Sequence, residues 1–319
     1  MPKKIHTKNK RKGRILKKKP FRRTRKKARS NEIVVSKCKP GLKGQLSNTC
    51  FTKGIVKTIK KHYNVNNEIK INATSPKTIL QRLKKHTNCD DEKCWIKLLP
   101  PHLRNNVNNY LYRPLYPKEW HSNKNAWLSN FDILAVINQY EESNPNFKFI
   151  GPTFIDFDER SSFAEEKCVE DELCEFNLNY YLDKNITKIG IIFNLDTHDQ
   201  SGSHWVSLFI DLTDNFIFYF NSTGENTPKE IKALCLRIQE QARAKNIELT
   251  YIKNGLEHQK EDTECGMYSL FFIISMLTDS IGGDTNQKLI NLEEKKMFFM
   301  KTRIPDKDME KLRDKYFIK

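Results

Sequence analysis

The stretch DTECGMYSLFFIISML, residues 262–277, sets one cysteine where polar residues give way to a long apolar run. A thiol placed there has two uses. It can fill core, since free Cys is among the most buried residue types, or it can attack a carbonyl. Attack needs a base, a group that orients the base and a donor for the oxyanion. His204 is the base candidate: it stands between the flexible QSGS and the apolar run WVSLFIDL. Asn221, in FYFNSTG, offers an amide oxygen to accept from the imidazole Nδ1–H and fix the tautomer, the part an Asp or Asn plays in Cys-His systems. Gln259, in the polar loop before the cysteine, offers a side-chain N–H for the oxyanion.

These four residues need elements to hold them. KIGIIFNLD, HWVSLFIDL and NFIFYFNS read as consecutive strands, the last two joined by a short turn at Thr213–Asp214. A hairpin of that kind returns the end of one strand to the start of the other, so His204 and Asn221 share one sheet edge. PKEIKALCLRIQEQARAKN reads as a helix with Pro228 near its start, ELTYIKN as a further strand, and Cys265 opens the next helix. At a helix N-terminus, unpaired N–H groups and the dipole favour a thiolate and can hold an oxyanion. Gly266 would let a substrate backbone approach. Earlier, WLSNFDILAVINQYEE reads as an amphipathic helix capped by Ser129 or Asn130, FKFIGPTFIDF as extended, and the acidic EEKCVEDELCEFNLNYYL as helical. The order gives an α+β body with a central sheet.

The strings GSHWVSLFIDL, FNSTG and HQKEDTECGMYSLFFI resemble the SUMO-protease and adenovirus-protease clan of cysteine peptidases, and most of all its large-DNA-virus branch. The resemblance covers roughly residues 125–319. It implies an Ulp1/adenain-like cysteine protease core, a central mixed sheet flanked by helices, with His204, Asn221, Gln259 and Cys265 as the catalytic set. It also implies cleavage of structural polyproteins after Gly-Gly during particle maturation, with Trp205 walling a slot that admits only glycines. Cellular members usually carry Asp where this chain has Asn221. Asn keeps the ring oriented without stabilising imidazolium by charge, as in the viral branch.

The formal charge of +17 belongs to one end. Residues 1–30 hold sixteen Lys/Arg and no Asp/Glu, which leaves 40 basic and 39 acidic residues for the rest. Such a tail repels itself and is expected to be disordered, to bind nucleic acid, or alternatively to address the nucleus. Its lysine clusters and lack of an apolar face argue against a transit peptide. No apolar run reaches the ~18 residues of a membrane span. The expected organisation is a tail at 1–30, a mostly helical arm at 31–118 and the protease core at 119–319. A monomer acting in the virion and the host cytoplasm, with the nucleus as an alternative, completes the expectation.

Eight scattered cysteines without an export signal read as reduced thiols. His86, Cys89 and Cys94 with Cys38 or Cys50 have a spacing that structural zinc tolerates, but no second tight pair accompanies them. The reading is therefore no metal and no cofactor. Cys168 and Cys174 read as packing residues, His198 and Asp199 as loop residues, and His258 as a neighbour of Gln259 that could line the cleft. Two other functions fit parts of the pattern: a host-directed deSUMOylase or deubiquitinase, and a nucleic-acid-binding virion component on an inactive protease scaffold. The complete four-residue set argues against the last.

Overall fold

Two consecutive runs, WVSLFID and FIFYF, are apolar at nearly every position, which is the pattern of strands covered on both faces. In the computed structural model, which describes residues 37–160, 167–283 and 289–319, they lie at the centre of a five-stranded mixed sheet of order β1-β2-β3-β4-β5. The strands are β1 Phe147–Phe154, β2 Lys188–Asn194, β3 Trp205–Asp211, β4 Phe216–Phe220 and β5 Thr250–Lys253. β1 pairs with β2 and β4 with β5 in parallel, while β2–β3 and β3–β4 are antiparallel. Period-two alternation sorts the side chains. Trp205, Phe209, Phe216, Phe218 and Phe220 enter one core, and Val206, Leu208, Ile210, Ile217 and Tyr219 the other.

Each face carries its own helices. The arm begins with α1 Lys53–Asn66, α2 Pro76–Thr87, α3 Glu92–Ile96 and α4 Pro101–Leu111. The core adds α5 Asn130–Ser143, α6 Asp171–Cys174, α7 Leu178–Asp183, α8 Lys229–Arg243, α9 Cys265–Leu277, α10 Leu292–Lys301 and α11 Asp306–Tyr316. α9 is buried along its whole length because sheet, α5, α10 and α11 surround it. That is why its sequence shows an unbroken apolar run rather than a stripe. α8 covers the opposite face with Ile231, Leu234, Cys235 and Ile238. Ser129 caps α5 in a reciprocal box with Asp132.

The arm builds a separate core around Phe51, Val56, Ile59, Leu83 and Trp95, into which Ile318 from the C-terminus inserts. Ile318 donates to Pro114 O at 2.8 Å, and its own carbonyl accepts from Tyr116 N at 2.9 Å, so the chain end ties arm to protease core. Two readings change here. The acidic stretch expected as one helix forms only the short α6 and α7 after residue 166, and residues 161–166 lie outside the described residues. Cysteines expected to be reduced are paired as Cys38–Cys50, Cys89–Cys94 and Cys168–Cys174, with Cys235 and Cys265 left as thiols. Folding sets the Cα separation of each pair within bridging range, 5.4, 6.8 and 6.3 Å, which spacing along the chain does not reveal. The sulfurs considered for zinc at 38, 50, 89 and 94 are thereby engaged with one another. The disorder expected of residues 1–30 lies outside the described residues. Among the described residues no helix is long and apolar enough to cross a membrane.

Candidate active site

His204 immediately precedes β3, and Asn221 immediately follows β4. The antiparallel register, Ser207 opposite Phe220, brings the two to one edge. His204 Nε2 lies 2.8 Å from Asn221 Oδ1. An amide oxygen only accepts, so Nε2 carries the proton and Nδ1 of the neutral ring keeps its lone pair. The expectation had Nδ1 facing the asparagine; the ring is turned the other way, and Nδ1 is the basic nitrogen. Burial pushes the His204 pKa below its ordinary value, against the bond from Asn221 and the charge of Glu225. The backbone of His204 is anchored too, its carbonyl accepting from Leu195 N at 2.9 Å at the end of β2.

Asn221 is 1% exposed and fully engaged. Its Oδ1 also accepts from Thr223 N at 3.1 Å and Thr223 Oγ1 at 2.9 Å. Asn254, wholly buried one residue past β5, clamps its backbone: Asn221 N donates to Asn254 Oδ1 at 2.9 Å, and Asn254 Nδ2 donates to Asn221 O at 2.8 Å. Asn254 escaped the sequence reading. Its one signal was a position after a strand, and that becomes informative only when β5 is known to run parallel beside β4.

Ser222 organises the oxyanion side. Its carbonyl accepts from His258 N at 2.8 Å and Gln259 N at 2.9 Å. Its hydroxyl donates to Gln259 Oε1 at 2.7 Å. The Gln259 amide is thus oriented with Nε2 as its outward donor, which here bonds Glu261 O. His258, expected near the cleft, is instead fully buried. Its Nε2 donates to Phe299 O at 3.0 Å and its Nδ1 accepts from Ile304 N at 3.2 Å, so it staples the loop to α10 and the segment after it.

Cys265 opens α9 and is 1% exposed. Burial pushes its thiol pKa up. The N–H groups of Trp205, Gly266 and Cys265 itself pull the other way, and the charge of Glu264 adds to the rise. The helix N-terminus was expected to favour a thiolate; burial works against it. Glu264 is itself buried against Arg313 of α11, whose Nε donates to Glu264 Oε2 at 3.1 Å and whose guanidinium lies 4.5 Å from the Trp120 ring centre. This pair was not visible in the sequence, because its members are 49 residues apart and only α11 packing joins them.

Trp205 is 8% exposed, with Nε1 donating to Leu128 O at 3.2 Å. Gly266 does not face open space. A Cβ there would come within 3.1 Å of Leu128 Cβ and 3.3 Å of Trp205 Cδ1. The glycine lets α9 pack beneath the indole, a packing use beside the expected approach of substrate backbone. His198 is a loop residue, held by Nδ1 2.6 Å from Asp156 Oδ2. With Glu159 the two form a group, Asp156 half-buried and the others exposed, whose candidate ligand atoms lie within 4.8 Å of one another. Cys168 and Cys174 are joined in their disulfide.

A mixed sheet that carries histidine, asparagine, glutamine loop and cysteine helix in this order has the fold of an Ulp1-like cysteine protease. Residues 177–319 match the Ulp1 protease family, C-terminal catalytic domain. A thiol protease of Acanthamoeba polyphaga mimivirus is 35% identical over 167 residues, covering 51% of this chain and 52% of that protein. The chain therefore spans about half the length of that relative. A SUMO-1 cysteine protease of African swine fever virus is 26% identical over 203 residues, covering 61% of this chain and 69% of the relative. The crystal structure of an African swine fever virus protease superposes with a TM-score of 0.59 at 20% identity, over 88% of this chain and 95% of that one. This likeness of fold reaches well into the arm, where the sequence resemblance fades.

Proposed function

We propose that the chain is a cysteine endopeptidase that cleaves structural polyproteins after Gly-Gly during virion maturation. The observation that carries this reading is the His204–Asn221 bond at 2.8 Å on the sheet edge, with the N–H of Trp205, next in the chain to His204, directed at the Cys265 sulfur. In the reaction, His204 Nδ1 takes the Cys265 proton as sulfur attacks the glycine carbonyl carbon. The oxyanion is held by Gln259 Nε2, released from Glu261, and by the N–H of Cys265 at the α9 terminus. Collapse breaks the peptide bond, and the imidazolium gives its proton to the departing amine. Water, activated by the same imidazole, then hydrolyses the thioester and restores the thiol. Asn221 holds the ring but brings no charge to the imidazolium.

The substrate reading draws on burial. Cys265 is 1% and Trp205 8% exposed, a crowding that favours a substrate residue without a side chain at the scissile carbonyl. Glycine is that residue. The viral origin of the similar proteases supports polyprotein processing in the virion and host cytoplasm, by a monomer tethered to nucleic acid through residues 1–30. A second reading, removal of ubiquitin-like proteins, rests on the SUMO-1 protease name of the swine fever relative. The test is to incubate the purified chain with Gly-Gly-x peptides and with SUMO and ubiquitin conjugates side by side. Cleavage of the peptides is expected, together with its loss once a thiol-reactive inhibitor labels Cys265. Preference for the conjugates moves the function to the second reading, and no cleavage of either ends the peptidase reading.

A further inference from the structure

The near-neutral balance beyond residue 30 hides two opposite halves. Residues 37–118 hold 17 Lys/Arg against four Asp/Glu, a net of +13. Residues 119–319 hold 23 against 34, a net of −11. A basic composition kept only for solubility would not stop at the arm. Three of the four arm carboxylates are already engaged on α3 and its approach. Asp90 bonds Lys84 at 3.0 Å, Asp91 caps α3, and Glu92 accepts from Cys50 N at 2.9 Å and Tyr112 Oη at 2.7 Å.

The excess charge is organised along α1. Lys53, Lys57 and Lys61 recur every fourth residue and are exposed, opposite no carboxylate on their own helix. Like charges at this spacing repel one another and destabilise the helix. Lys57, Lys60, Lys61 and Lys70 line a cleft of about 630 Å³ between α1 and α2, with Asn64 and Thr74 as further polar groups and no carboxylate in its walls. Lys60 Nζ donates to Ala73 O at 2.9 Å and Lys70 Nζ to Asn67 O at 2.6 Å. Backbone carbonyls of this kind fix an ammonium in place without neutralising it. Outside the cleft, α2 carries exposed Lys77, Arg82 and Lys85.

We propose that the α1–α2 face of the arm is a second nucleic-acid-binding surface, folded and distinct from the basic tail. It grips the phosphate backbone and leaves the bases unread, since ammonium groups on a stripe match phosphate charge rather than base edges. The acidic protease core is repelled from the same polyanion, so the bound chain presents its catalytic edge away from the nucleic acid.

The test is fluorescence anisotropy of the full chain on a labelled 30-base-pair DNA duplex between about 0.05 and 0.3 M salt. The probe is compared with a duplex of scrambled sequence. The variant is Lys53→Gln/Lys57→Gln/Lys61→Gln, with the tail intact in every protein. Losing three phosphate contacts should lower the log–log salt slope by about 2.7, at 0.9 per contact, and weaken binding at least about tenfold near 0.1 M salt. The Arg variant at the same three positions should bind as the parent does. Both duplexes should behave alike, and peptide cleavage should not change. An unchanged slope and affinity in the Gln variant would assign all binding to the tail and overturn the proposal. Displacement of the duplex by polyglutamate as effectively as by unlabelled DNA of equal charge would also overturn it, in favour of an acidic protein partner.

Discussion

Arg313, on the last helix, is paired with Glu264, the residue directly before the cysteine that opens α9. The pair is almost wholly withdrawn from water, 9% and 1% exposed at its side chains. The guanidinium also donates to Lys124 O and rests on Trp120. The C-terminal helix thus neutralises a negative charge that would otherwise sit beside a thiol already pushed upward by burial. Arg313→Met strands that carboxylate, which should cost about 3–5 kcal/mol of stability. It should also move the pH profile of Cys265 alkylation by iodoacetamide to higher pH. Glu264→Gln added to Arg313→Met should bring the profile back. If the single variant alkylates with the parent's profile, the ion pair is only structural.

Asn221 is expected to orient His204 and not to titrate. Asn221→Asp keeps an acceptor for Nε2–H and should keep substantial kcat/KM. Asn221→Leu should lose most of it, and Asn254→Ala, which loosens the backbone clamp, should fall between. Parent-like rates in Asn221→Leu would mean that another group holds the imidazole.

Gln259→Ala removes the side-chain oxyanion donor, an effect of about 10²–10³ in kcat with little change in KM. Ser222→Ala leaves that donor present but free to swing, so its loss should be smaller and of the same type. A change in KM alone for both variants would place the glutamine in substrate binding instead.

How much of this was legible beforehand follows from the range of each interaction. The β3–β4 hairpin and the His204–Asn221 pairing are local, and alternation with a short turn dictates them. Ring orientation is decided by which nitrogen the register presents to Asn221, a detail below the resolution of pattern. Asn254 depends on a parallel pairing, and Arg313–Glu264 on helix docking across 49 residues. Neither leaves a trace in spacing. The disulfides depend on the same long-range closure. The division of charge between arm and core lay in plain view, but a sum taken over both cancelled it.

Stability should fall in mild acid through the half-buried imidazole of His204 and the buried one of His258. Burial holds the folded-state pKa of both His204 and His258 below the ordinary value of 6.5. The unfolded chain therefore binds protons first as pH drops, and stability present above 6.5 is lost as pH falls through the lower folded values. For His258 a geometric reason adds to burial: its Nδ1 accepts from Ile304 N–H and cannot do so once protonated. Tm should decline between about pH 7 and about pH 5, and less steeply in His258→Gln, measured against the parent's Tm at each pH. An equal slope in that variant would remove His258 from the account.

Gly266→Ala separates packing from substrate passage. The new methyl would press on Leu128 and Trp205 at 3.1 and 3.3 Å. Overpacking of that degree costs about 1–3 kcal/mol, so Tm should drop even with no substrate present. Leu128→Ala makes room on the same side and should recover part of the loss in the double variant, although alone it opens a cavity and destabilises. Non-additivity of this sign is expected only of residues that compete for one space. If Gly266→Ala instead keeps the parent Tm and loses only kcat/KM on Gly-Gly-x peptides, the methyl stands in the path of the substrate. The glycine would then serve recognition rather than the seating of α9 beneath Trp205.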